Sequence, residues 1–136
     1  MQIVAIVLLY LVTALVFLAA DALMLSRVMR PLFERYVGDW LLESPRMGAA
    51  AAFYLAYIAG LVWLVSWPAL VRGDPMQALV QGMVVGAMAY GTYEFTNYAT
   101  LSQWSPVQVT VDVMWGTLLT GVSAWIGVAV TRLVVA

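Results

Sequence analysis

Residues 3–25 read IVAIVLLYLVTALVFLAADALML, an apolar run interrupted only by Tyr10, Thr13 and Asp21. About 20 such residues carry a helix across the hydrocarbon core of a bilayer. A signal peptide would open on positive charge and have a shorter apolar core. Gln2-Ile3 brings no side-chain charge to this start, so the stretch reads as a first spanning helix that is retained. Three more runs of the same kind lie at 48–71, 76–99 and 107–130. The second ends at Arg72-Gly73-Asp74-Pro75, a turn-forming breaker. The fourth comes after Ser105-Pro106, where proline suits a first helical turn. Backbone polar groups in hydrocarbon must bond within their own segment, so each run is expected to be helical despite its β-branched residues. The reading is a single all-α domain, a transmembrane four-helix bundle. The short second and third connections make helices two, three and four sequential antiparallel neighbours.

Composition leads to the same solvent. Hydrophobic residues are 65% of the 136 and charged residues only 10%, against about 25% charged in soluble domains. A chain this small has too much surface for so few charges to cover in water, so the lipid bilayer is its first partner. A net charge of -1 leaves no basic footprint for nucleic acid. With no Cys and no His, disulfides, thiolate chemistry, zinc sites and His-based catalysis are excluded. The cofactor, if there is one, is not legible, and no metal site is expected as such.

The first connection, 26–47, is the long one. It holds Arg27, Arg30, Arg35 and Arg46, against Arg72 and Arg132 elsewhere. That bias places the long connection in the cytoplasm and both termini outside. Phe33, Tyr36, Val37, Trp40 and Leu41 recur at helical spacing, with Glu34, Arg35, Gly38 and Asp39 on the other face. The pattern predicts a short interfacial helix between helices one and two; an amphipathic loop helix packed on the bundle end fits it equally. Gly82 and Gly86 form a small-xxx-small pair. Internal packing is the favoured reading of that pair, and a face for a homo-oligomer the lesser one.

Three acids interrupt the apolar runs: Asp21, Glu94 and Asp112. An ionisable group in the bilayer costs at least a few kcal/mol, so it usually faces the bundle interior and often marks function. The helix order puts all three on one membrane face, each ~8 Å inside it at 1.5 Å per residue. Helical spacing joins Tyr90, Asn97 and Tyr98 to Glu94, and Gln108 and Trp115 to Asp112. Helix two enters from the same side with Tyr54 and Tyr57. The candidate site is therefore Asp21, Glu94, Asn97, Asp112, Tyr54, Tyr57, Tyr90 and Trp115. Ionised together in low dielectric, the acids would repel one another. Protonation, hydrogen bonds from Tyr and Asn, a bound cation, or Arg27 or Arg46 reaching in would resolve this. The blander reading is that polar side chains simply join helices, each bond adding about 1 kcal/mol or less. Trp40, Trp67 and Trp104 read as interfacial belt residues.

The stretch Tyr90-Gly-Thr-Tyr-Glu-Phe-Thr-Asn-Tyr-Ala-Thr-Leu-Ser-Gln-Trp104, with Val111-Asp-Val-Met-Trp-Gly116 soon after it, resembles the hallmark of a group of bacterial membrane proteins, domain of unknown function 2177. The segments Tyr10 to Asp21 and Phe53-Tyr-Leu-Ala-Tyr57 are similar to it too, so the resemblance covers nearly the whole chain. It implies a bacterial inner-membrane protein of four helices and brings no activity. The family commonly carries Asp where this chain has Glu94, and the extra methylene keeps the carboxyl while shifting its reach.

Three functions fit. The first is binding or transport of a small amphipathic or lipid-like molecule, or of protons, at the acidic-aromatic layer. The nearly apolar outer helix halves speak against a polar channel. The second is an enzyme acting on a lipid or isoprenoid, with paired acids as acid and base or a carboxylate-amide set holding Mg²⁺. No nucleophile motif supports it, and no catalytic residue is assigned. The third is a structural subunit of a larger membrane complex. Binding or transport ranks first.

Overall fold

All four apolar runs form helices in the computed structural model, which describes residues 2–135. They are α1 (Gln2–Trp40), α2 (Met47–Arg72), α3 (Pro75–Thr100) and α4 (Pro106–Val135). By length and composition α1, α2 and α4 can each cross a membrane. α3 is also 26 residues long, but its second half carries Thr92, Tyr93, Glu94, Thr96, Asn97 and Tyr98.

Local chemistry sets the helix ends. Gly73 closes α2 with φ 69°, a left-handed conformation that glycine adopts without a Cβ clash. Asp74 then caps α3 by accepting from the Gln77 N–H at 3.2 Å, and Pro75 takes the first helical position, where no N–H is needed. At the start of α4 the Ser105 Oγ accepts from the Val107 N–H at 3.1 Å. The Gln108 side chain accepts from the Ser105 N–H at 2.8 Å. This is a reciprocal capping box, and it gives Gln108 a structural role.

Two helices contain a π-helical turn, Leu25–Met29 in α1 and Val62–Ser66 in α2. A proline stands two residues beyond each, Pro31 and Pro68. Proline cannot donate to the carbonyl four residues back, and its ring clashes with that carbonyl. In both helices that carbonyl, of Arg27 or Leu64, lies inside the widened turn. A π turn inserts one residue and rotates the helix beyond it. The amphipathic segment is helical as its spacing predicts, and it continues α1 without a break. It is not laid out as an isolated piece: Val37 is buried against Trp104 and Val109, with Phe33 and Tyr36 packed beside them.

The helices alternate in direction. Tyr90 covers Gly116 while Met83 covers Gly121, which sets α3 antiparallel to α4. Gly127 meets Thr13 while Trp115 meets Asp21, which sets α1 antiparallel to α4. A Cβ on Gly82 would lie 2.9 Å from the Gly121 Cα, and one on Gly86 would strike the Gly116 carbonyl. The Gly82–Gly86 pair thus serves internal packing, letting two backbones approach. Leu9, Phe17, Ile58, Leu61, Leu119 and Val128 fill the core.

Candidate functional site

A cavity of ≈1100 Å³ opens between α1, α2, the C-terminal half of α3 and the start of α4. Asp21, Tyr54, Tyr57, Tyr90 and Asp112 line its wall, Leu25, Met29 and Phe53 give apolar surface, and Arg30 and Arg46 border it as well. Five of the eight residues expected to form a site therefore face one space.

Asp21 is 5% exposed, and its Oδ1 accepts from the Trp115 indole N–H at 3.0 Å. Tyr54 lines the cavity wall along with Asp21. Tyr54 and Tyr57 are held by Phe17, with ring centroids at 5.7 and 5.8 Å. Tyr57 is tied at its hydroxyl to Thr120 at 3.0 Å. Tyr90 lies over Gly116, which has no side chain to obstruct it, and its buried hydroxyl has no partner. The rings of these phenols are held by packing.

Glu94 stands behind the cavity, not on it, and is fully buried. Its Oε1 accepts from the Trp104 indole at 2.8 Å, and its carboxyl is within hydrogen-bonding reach of Asp112. Glu94 Oε2 has no donor. Ionised carboxyls only accept hydrogen bonds, so a proton lying between Glu94 and Asp112 would satisfy both. The three acids thus resolve into a pair and a third group across the cavity. Among the described residues no three acids are grouped so as to hold a metal ion. Asn97, half-buried one turn beyond Glu94, lies off the cavity.

Of the two arginines expected to reach inward, Arg46 borders the cavity and Arg27 does not. Neither pairs with the three acids: among the described residues the one ion pair is Arg30–Glu34 at 3.0 Å. Trp104, expected in the belt, is 8% exposed and packs edge-on against Phe33 at 5.3 Å and Tyr93 at 5.8 Å. Its placement ten residues after Glu94, in the tight connection before Pro106, is the signal that turns it back onto the bundle. The arrangement offers acceptors and phenols in an apolar-walled space, with Arg46 and the Arg30–Glu34 ion pair on its border.

A family model described as "Predicted membrane protein (DUF2177)" matches residues 6–129. The chain belongs to this family. No curated protein and no solved structure matches the chain. Both segments carrying the resemblance, Tyr90 to Trp104 and Val111 to Gly116, lie within the matched span. They contain the Glu94–Trp104 bond, the Glu94–Asp112 pair and the Tyr90–Gly116 contact.

Proposed function

We propose that this DUF2177 protein binds a small amphipathic, lipid-like molecule in the cavity between α1 and α2. It would do so as a four-span protein of the bacterial inner membrane. α3 is the least apolar of the four helices, and its packing along α4 supports counting it as a span. The carrying observation is the cavity itself. Binding pockets for small molecules are concave, mostly apolar, and furnished with a few fixed polar groups, typically about 300–1,000 Å³ in volume. The ≈1100 Å³ space can receive an apolar tail against Leu25, Met29 and Phe53. Asp21 and Asp112 accept from a hydroxyl or ammonium group, with Tyr54 and Tyr90 beside them. Arg46 suits an anionic or hydrated part of the same molecule nearer the surface, while Arg30 is already paired with Glu34 there. The four-to-two arginine bias supports a cytoplasmic side for this border.

The test is retention. The protein is extracted in mild detergent and studied intact by native mass spectrometry. An amphiphile should stay bound to the parent chain and be lost from Asp21→Asn with Asp112→Asn. A chain that carries no adduct, or carries the same lipids in both forms, would overturn the proposal. A carboxyl pair with one member on the cavity wall also favours acid-base chemistry on such a molecule. A change in the bacterial lipid profile on Asp112→Asn would identify that second reading.

A further inference from the structure

The deep wall of the cavity is rich in acceptors and short of donors. The indole N–H groups of Trp115 and Trp104 are already taken by Asp21 and Glu94, and the Tyr57 hydroxyl is tied to Thr120. Asp112 lines the cavity and is 8% exposed. Among the described residues no backbone N–H, indole, amide or hydroxyl donates to its side chain. The buried Tyr90 hydroxyl on the same wall has no partner either. Asp112 stands near Asp21, because Trp115 follows Asp112 by three residues on one face of α4 and its indole reaches Asp21.

Charge is unmatched in the same place. The chain has no lysine, and the one ion pair among the described residues, Arg30–Glu34, sits at the border. A carboxylate taken out of water is costly unless a cation accompanies it. The remaining wall is aromatic: Phe53, Tyr54 and Tyr57 of α2 and Tyr90 and Tyr93 of α3 all line the cavity. Aromatic ring faces attract cations, so these side chains favour the same sign of ligand charge as the carboxylates do. An anionic head would be repelled by the acids, and a neutral hydroxyl brings one donor and no charge. A protonated primary amine brings three N–H donors and a positive charge, one donor each for Asp21, Asp112 and the Tyr90 oxygen. A quaternary ammonium keeps the charge and has none of the donors. Leu25 of α1 and Phe53 of α2 line the cavity and are also exposed, so an apolar tail runs from it toward lipid.

We infer that the cavity selects a primary ammonium head group carried on an apolar tail, held by Asp21, Asp112 and the Tyr90 hydroxyl among aromatic rings. This rests on the reading of the cavity as an amphiphile site and narrows that reading to one chemical class. An aminophospholipid and a long-chain alkylamine share the recognised group. They differ in the phosphate, for which Arg46 on the border is the available partner.

The full chain in mild detergent is offered dodecylamine and dodecanol at equal concentration, and the adducts are counted by native mass spectrometry. Dodecylamine should be retained over dodecanol by about tenfold, through charge-assisted hydrogen bonds and cation–π attraction. In a second arm the chain is taken from nanodiscs of equal parts phosphatidylethanolamine, phosphatidylcholine and phosphatidylglycerol with the same acyl chains. Retained phosphatidylethanolamine in excess of both others assigns the aminophospholipid as the source. Equal retention of the three, with dodecylamine still preferred, assigns the alkylamine. The amine preference should vanish in Asp112→Asn and persist in the control Thr92→Val, with circular dichroism and gel filtration verifying each fold. Should Asp112→Asn not fold, Tyr90→Phe must lower the preference about twofold or more. Dodecylamine held no better than dodecanol, phosphatidylcholine held as well as phosphatidylethanolamine and above phosphatidylglycerol, or an unchanged preference in a folded Asp112→Asn variant overturns the inference. Amphiphiles retained without regard to head group would leave the cavity reading standing, whereas a chain that retains none would overturn both.

Discussion

The indole N–H groups of Trp104 and Trp115 each meet one acid, Glu94 at 2.8 Å and Asp21 at 3.0 Å. A hydrogen bond to a charged group contributes about 1.5–3 kcal/mol, and losing the donor leaves the acceptor buried and unpaired. Trp104→Phe keeps most of the ring packing against Phe33 and Tyr93 and removes only the donor. We expect it to lower unfolding stability in detergent by about 1–3 kcal/mol, read from denaturant titration. For Asp21 and Trp115, a double-mutant cycle with Asp21→Asn and Trp115→Phe should give a coupling of about 0.5–3 kcal/mol. Strictly additive effects would mean that this bond does not form. The pairing was not legible in the residues alone, because an indole three residues from Asp112 gives no sign that its donor reaches another helix.

At the scale of the element, glycines divide by what surrounds them. A Cβ on Gly86 would meet the Gly116 carbonyl, whereas one on Gly91 of the same helix would meet nothing within 4 Å. Gly86→Ala forces two backbones apart and should destabilise the bundle by more than about 1–3 kcal/mol, the usual cost of overpacking. Gly91→Ala should be neutral or stabilising by up to about 1 kcal/mol, through helix propensity. Thermal unfolding of the two variants side by side decides the matter. The π turns belong to this scale too. Deleting Ser26 removes the extra residue from Leu25–Met29 and rotates the segment beyond it by ~100° relative to α1. Val37 would leave Trp104, and Arg30 would leave the cavity border. We expect helix content to survive while amphiphile retention falls; unchanged retention would show that this border does not contribute to binding.

For the whole molecule the arginine bias makes a prediction of its own. Reporter fusions after Arg46 should read cytoplasmic, and those after Arg72 and at the C-terminus external. A C-terminal reporter on the cytoplasmic side would invert the assignment or remove a span, with α3, the least apolar helix, as the one to doubt. The two halves of the bundle also differ in character. The half that holds Asp21, Tyr54 and Asp112 is splayed around a cavity, while the opposite half is closed by glycine-mediated contacts and Leu9, Phe17 and Val128.

Apolar run length by itself determined that this chain lives in lipid and is helical, because hydrocarbon offers the backbone no other hydrogen-bond partners. The turn at Gly73-Asp74-Pro75 and the start at Ser105-Pro106 were equally readable, since φ restriction and capping are local properties. Depth along each helix also placed Asp21, Glu94 and Asp112 at one level. Rotation about each helix axis was not readable that way, and it separated Glu94 and Asn97 from the cavity while turning Trp104 inward. The same rotation buried the hydroxyls of Thr13, Ser66, Ser123 and Thr131 in the bundle interior. Such facing depends on which small residues let which backbones approach, and on one-residue π insertions, so only the packed bundle decided it.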